Sequence, residues 1–306
     1  NLLYDWQPEE AIALWKHSAE VDPNFAITWR NLAIAHAHQT NAGSQKEAIA
    51  DLEKAVSFPN PYPTHFAELD RLYQAAGTPV EKRLAVLEKN EKTIVRNDEA
   101  LGSLINLKTF SGKPADAIAL LKGRTFSIWE GGSIFNTGQA WADACLVRGQ
   151  QLYREKKYKE AIEDFQSALN PPESLRAEQR HDLHNTQIIY WLGCAYNAAG
   201  EKGKAKDEWN KIVSSDILAK GAGGSAYRRS SMLGKEEEHY YQALAKQKLG
   251  VKDTQSTFNE LVTMGTSPEN QAERALRENQ QADERRSPHE REATAHYIAG
   301  LGYAGL

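Results

Sequence analysis

Two cysteines in 306 residues, no long apolar run and no surplus of positive charge are what this chain lacks, and each shortage removes a class of protein. Cys145 and Cys194 stand far apart among apolar residues on a helical pattern. Two thiols cannot build a disulfide framework or a four-cysteine zinc site, which leaves at most a single bridge between them. No stretch of about 18 apolar residues is present, so nothing in the sequence reads as a membrane-spanning helix or a membrane partner. A net charge of −4 lacks the basic excess that drives counterion release from nucleic acid, which argues against sequence-general DNA or RNA binding. Alternating β-branched runs bounded by turns are also missing, so strands are not expected. What is there, 41% hydrophobic and 25% charged residues at a mean hydropathy of −0.63, is the composition of a folded protein rather than a disordered tail or a collagen-like chain. At about 150 residues per domain this length suggests two domains, unless the chain repeats.

It does repeat. The clearest stretch is Trp191-Leu192-Gly193-Cys194-Ala195-Tyr196, followed by Gly200, Ala205 and Trp209. These residues resemble the tetratricopeptide pattern W-x2-L-G-x2-Y…A-x3-F, a unit of about 34 residues made of a helix, a tight turn and a second helix. Gly193 lets the two helices approach closely, Tyr196 fills the space between repeats and Gly200 ends the first helix. Ala205 is small where the second helix crosses, and Trp209 is expected to pack down on the next unit. The small-then-large signature recurs as Ala11 to Trp15, Ala48 to Leu52, Ala117 to Leu121, Ala161 to Phe165 and Ala205 to Trp209. Successive alanines are 37, 69, 44 and 44 residues apart, so one degenerate repeat, Phe66 to Asn90, falls inside the longest gap. Thr125 to Thr137 and Asn170 to Asn185 read as long connections, and Tyr240 to Gly250 with Thr254 to Met264 as a further weak pair.

The expected fold is therefore all-α, a right-handed superhelical solenoid over residues 1–306 with about seven helix pairs. Asn1 to Tyr4 reads as the last turn of a first helix partnered by Pro8 to Val21, and His296 to Tyr303 as a first helix without its glycine stop. Incomplete outer pairs lack a neighbour to bury their apolar faces, so the expectation is a longer parent protein. Lys220 to Ser225 reads as a flexible loop and Glu278 to Arg286 as a charged, solvated helix face.

A narrower resemblance rests on Trp129-Glu130-Gly131-Gly132, which follows Ala117 to Leu121 and Phe126, and on Tyr190 to Ala195. Over most of its length the chain is similar to the repeat-bearing carboxy-terminal half of large bacterial proteins. The amino-terminal half of those proteins is a β-rich domain with a suspected role on carbohydrate. The resemblance implies a repeat module beside such a domain. Read from its own residues, the Trp129 and Glu130 pair on two glycines is suited to dock on another domain or on a sugar ring, or to plug the gap between two repeats.

Catalytic and metal chemistry find little footing. His181 and His184 would share a helix face while Asp182 points away, so a metal would need ligands from elsewhere. His36 and His38, two apart on a helix, face different sides. Gly131-Gly132 and Gly223-Gly224 match neither the dinucleotide fingerprint nor the P-loop, and Ser230-Ser231 beside Arg228-Arg229 reads as a basic loop. No nucleophile, base and acid can be assembled from spacing, so the expectation is a chain without cofactor, metal or catalysis of its own.

As the tetratricopeptide resemblance implies, first helices line a concave groove. On the helix of Tyr190 the residues Ile189, Leu192, Gly193 and Tyr196 form the packed face, which leaves Gln187, Tyr190, Cys194 and Asn197 on the other. The same frame selects Arg30, Asn31, Arg71, Gln74, Asn106, Gln150, Tyr153, Tyr240 and Gln247. This amide-rich and aromatic set lacks the lysine and asparagine clamp of co-chaperone repeats. It suits a non-catalytic scaffold that binds a peptide segment or a partner domain, including an upstream domain of the same chain. The alternative is an accessory module of a carbohydrate-active enzyme whose catalytic residues lie upstream.

Overall fold

The computed structural model describes residues 8–39, 43–127, 135–175, 185–214, 232–252, 254–268 and 288–306. The described residues form fifteen α-helices and one short 3-10 turn, with no strand among them. They fall into two compact units, Asn1–Val147 with Pro172–Ala177 and Arg148–Pro171 with Glu178–Leu306.

In the first unit α1 (Pro8–Val21) is a second helix that packs on α2 (Ala26–His38). Next come the pairs α2 with α3 (Ser44–Ser57), α4 (Pro63–Ala75) with α5 (Val80–Lys89), and α7 (Asp98–Phe110) with α8 (Pro114–Leu121). A single turn, α6 (Glu91–Ile94), joins the last two pairs, and α9 (Thr137–Arg154) begins in this unit. In the second unit the end of α9 pairs with α10 (Tyr158–Leu169), followed by α11 (Asn185–Ala198) with α12 (Lys202–Ser214) and α13 (Met232–Lys248) with α14 (Gln255–Thr266). The last helix, α15 (Pro288–Gly305), packs on both α13 and α14. The fold class is thus all-α, built from helix pairs of tetratricopeptide type.

One local device closes five of the first helices. Thr78, Lys113, Lys157, Glu201 and Val251 each donate a backbone N–H back to the carbonyl five residues earlier, at 2.8, 2.9, 2.9, 2.9 and 3.0 Å. That is the Schellman cap, which needs a left-handed residue just before the donor. The residues there are Gly77, Gly112, Lys156, Gly200 and Gly250, with φ of 65, 82, 61, 87 and 77°. Lysine is the exception, and its Cβ meets the following carbonyl at a cost of about 1 kcal/mol in this conformation. Lys156→Gly should therefore raise stability by about 0.5–1 kcal/mol. A chemical denaturation midpoint that moves down would refute this account of the turn.

The signature residues build the core. Ala48, Ala117, Ala161 and Ala205 are fully buried, and Leu52, Leu121, Phe165 and Trp209 lie buried one turn further along. A Cβ added at Gly193 would sit 2.5 Å from the Trp209 indole nitrogen, and one at Gly149 would sit 2.6 Å from the Phe165 ring. Trp209 thus packs inside its own pair. Its ring lies across Gly193 of its own pair, with Nε1 donating to the Tyr190 carbonyl at 3.3 Å. The reason is steric: an indole needs depth, and the missing side chain at Gly193 supplies it within the pair.

Contact between successive pairs also runs through the residue four positions before the left-handed turn, as Tyr196 suggested. Gln166 Nε2 on α10 donates to the Tyr196 hydroxyl at 2.9 Å. The Tyr73 hydroxyl donates to Glu53 on α3 at 2.5 Å, and Lys108 Nζ donates to Glu88 on α5 at 2.9 Å. In each case a long side chain crosses to the preceding second helix with a polar tip satisfied at its end. Cys145 and Cys194 are both buried, and no disulfide joins them.

Candidate binding surfaces

The second unit carries a continuous run of rings. Tyr158 meets Tyr153 at 5.5 Å between centroids, Tyr153 meets Trp191 at 5.5 Å, and Trp191 meets Tyr190 at 6.0 Å. Tyr190 then meets Tyr241 at 5.5 Å, Tyr241 meets Tyr240 at 5.1 Å, and Tyr240 meets Phe258 at 6.0 Å. The run crosses three successive first helices, α9, α11 and α13. Tilted and edge-on contacts of this kind suit the ring quadrupoles and hold each ring in one orientation. Tyr153, Trp191, Tyr240 and Tyr241 are half-buried, while Phe258 is fully buried and anchors the end of the run.

Two residues of the expected open face lie elsewhere. Tyr190 and Cys194 are each only 8% exposed, so they belong to the interior. The cause is α13, which packs directly on α11 and lays the Tyr241 ring over Tyr190. Burial pushes both the Tyr190 hydroxyl and the Cys194 thiol above their ordinary ranges, and the two share a hydrogen bond. Such a thiol is unreactive. The open positions on α11 are Gln187, Trp191 and Asn197, a face turned by about one residue from the expected one. Trp191 is hidden from sequence reasoning because it opens the repeat motif, and helical spacing alone does not show that it lies at an open edge. Tyr241 was hidden because two adjacent tyrosines give no hint of which points outward.

The other expected residues are placed as follows. In the second unit Gln150 is half-buried and Gln247 exposed. In the first unit Asn31 is half-buried, Gln74 and Asn106 are exposed, and Gln74 accepts from Arg83 at 3.4 Å. Arg30 and Arg71 are not free to greet a ligand. Arg30 Nε donates to both Glu68 oxygens, at 3.1 and 3.0 Å, and Arg71 pairs with Glu99 at 2.8 Å. Trp129 and Glu130 lie outside the described residues. So do His181, Asp182, His184, both glycine pairs, Arg228 to Ser231 and the 278–286 run. His36 is buried with Nδ1 2.8 Å from Asp51, and His38 is exposed. Among the described residues no group of three His, Cys, Asp or Glu side chains is placed to hold a metal, and no helix is long and apolar enough to cross a membrane.

The first unit has its own concavity, a cleft of about 390 Å³ lined by Ile27, Arg30, Tyr62, Thr64, His65, Glu68 and Glu99. These residues belong to α2, the start of α4 with its N-cap, and α7. Burial holds the His65 imidazole below its ordinary 6.5; the Glu68 carboxylate opposes that shift and Arg30 adds to it. The folded protein therefore binds fewer protons here than the unfolded chain, so stability is full above about pH 6.5 and falls as the pH drops towards the folded value. Thermal melts between pH 7.5 and 5 should show a larger acid loss in the wild type than in His65→Phe. Equal losses would contradict the burial account.

No family model matches the chain. Among solved structures, the chain is similar to the TPR2AB domain of yeast Sti1, solved as its pHSP90 complex. The identity is 15%, the match covers 99% of this chain and 94% of that one, and the TM-score is 0.35. At that score the class of fold rests on the helix pairs and turns described above.

Proposed function

We propose that this chain is a non-catalytic scaffold that binds a peptide segment or a partner domain on the faces of its first helices. The observation that carries the reading is the run of half-buried rings over α9, α11 and α13, flanked by the amides of Gln150 and Gln187. Rigid aromatic side chains offer contact area at low entropic cost, and neighbouring amides hydrogen-bond an extended backbone. The binding residues on this reading are Tyr153, Trp191, Tyr240 and Tyr241 with those amides, Asn197 and Gln247. Arg30, Asn31, Arg71, Gln74 and Asn106 belong to the separate surface of the first unit.

The test is a screen of the full chain against an array of extended peptides, followed by titration of the best binder. Tyr153→Ala should weaken that complex by about tenfold or more, in line with loss of an aromatic anchor. Lys206→Ala, on the exposed face of the second helix α12, should leave it unchanged. Equal effects of the two substitutions would sink the reading, as would an array with no binder.

A further inference from the structure

The turns that close the first helices of the second unit carry a charge that the fold does not ask for. These first helices lie side by side, with Tyr153 against Trp191 and Tyr190 against Tyr241, and each ends in the same left-handed turn. The three turns therefore follow one another along one edge of the unit. Arg154 and Lys156 stand at the first, Lys202 and Lys206 open the helix after the second, and Lys248 and Lys252 flank the third. All six are exposed, and among the described residues no carboxylate pairs with any of them. Glu155 and Glu201, the nearby acids, are taken up by Lys157 and Lys204 at 2.8 and 2.5 Å. The first unit differs at the same turns, where Lys82 pairs with Glu53 at 3.2 Å and Lys113 with Glu88 at 2.9 Å.

Stability explains only part of this placement. Arg154 and Lys248 suit the negative ends of their helices, but a helix N-terminus is positive and disfavours lysine. Whereas α7 and α8 begin with Asp98, Glu99 and Asp116, α12 begins with Lys202 and has no acidic residue in its first turn. Lys156 holds the left-handed position that the other four turns give to glycine. Both placements cost stability, and local costs of this kind collect where a surface has another task.

We propose that this edge of the second unit seats on an anionic lipid surface, with the six cations among the headgroups and Val251 at the interface. Five of the six are lysines, mobile point charges that suit a diffuse layer of phosphates and carboxylates. A discrete carboxylate or phosphate ligand is held better by the fork of an arginine. Val251, 47% exposed, stands in the last turn between Lys248 and Lys252. Against a bilayer its side chain enters the apolar boundary below the headgroups; against the backbone of a nucleic acid it stays in water. The net charge of −4 conceals this edge because the balancing acids lie elsewhere in the chain. The inference is independent of the scaffold reading, since none of these residues belongs to the aromatic run.

The experiment is co-sedimentation of the full chain with vesicles of phosphatidylcholine alone and with vesicles of phosphatidylcholine and phosphatidylserine in equal parts. A random-sequence DNA duplex, titrated by fluorescence, is the competing polyanion. The chain should bind the mixed vesicles and not the neutral ones, and should lose about tenfold or more as salt rises from about 0.05 M to about 0.5 M. Lys202→Gln with Lys206→Gln should weaken vesicle binding by about tenfold or more. Lys82→Gln with Lys113→Gln makes the same change in net charge on the first unit and should leave binding as it is. Val251→Ser should weaken it by about threefold with the circular dichroism unchanged. Tyr153→Ala should have no effect, which separates failure of this edge from failure of the aromatic run. Three results overturn the proposal: no binding to the mixed vesicles at low salt, equal losses in the two double variants, or a DNA duplex bound as tightly as the vesicles with Val251→Ser indifferent.

Discussion

Replacing Asp70 by alanine should cost the first unit about 3–5 kcal/mol, one of the two largest effects expected of any single substitution in this chain. Asp70 stands on α4 at the position where α11 has Gly193, so a charged group occupies the crossing of two helices. Its side chain is 6% exposed and that of Arg83, on α5, is 12% exposed. Arg83 Nε and Nη2 donate to the two Asp70 oxygens at 2.8 and 2.9 Å, a parallel pair of charge-assisted bonds. With Asp70 gone the guanidinium stays buried without its counter-charge, and that loss dominates over any loss of contact area. Against a total stability of about 5–15 kcal/mol this is a large fraction. The melting temperature should fall by roughly 10 °C. Removing both charges is expected to be far milder: Asp70→Leu combined with Arg83→Met should recover more than half of the loss. A single variant that melts within 2 °C of the wild type would show that the pair is not buried as described.

Tyr190→Ala is the second large effect, and it separates the two readings of α11. Had Tyr190 lain on an open groove, its loss would weaken binding and leave stability within about 0.5 kcal/mol. Its ring instead contacts Trp191 and Tyr241, and the side chain is almost wholly enclosed. Truncation leaves a cavity between α11 and α13, with an expected cost of about 3–5 kcal/mol. Tyr190→Phe, which keeps the ring and loses only the hydroxyl bond to Cys194, should cost about 1 kcal/mol. Urea titrations of both variants check this. A Tyr190→Ala protein as stable as the wild type would restore the open-face assignment.

The helix pairs were legible in the sequence because their signals are local. Ala205 to Trp209 and its four counterparts lie within single helices, and Gly200 marks its own turn. Even the degenerate repeat is a proper pair, α4 and α5, since Gly77 holds the same left-handed turn. The turn at Lys156 was not legible, since a lysine gives no sign of a positive φ. The open faces were harder still. Helical spacing assigns a residue to a side of its helix, but how wide a strip stays uncovered depends on the next first helix, which is a tertiary fact. On α11 that helix covers Tyr190 and Cys194 and leaves Trp191 at the edge. The arginines of the first unit were correctly placed on first helices, yet their partners Glu68 and Glu99 come from the neighbouring first helices, α4 and α7. Nothing in the spacing of Arg30 or Arg71 announces those pairs.

The central claim is that binding belongs to the faces of first helices, and amide and methyl shift mapping of the full chain with the best array peptide tests it most directly. The account predicts perturbations at Tyr153, Gln187, Trp191, Tyr240 and Tyr241, with the exposed residues of α10 and α12 silent. Perturbations centred on α10 and α12, with those first-helix residues unmoved at saturation, would contradict it.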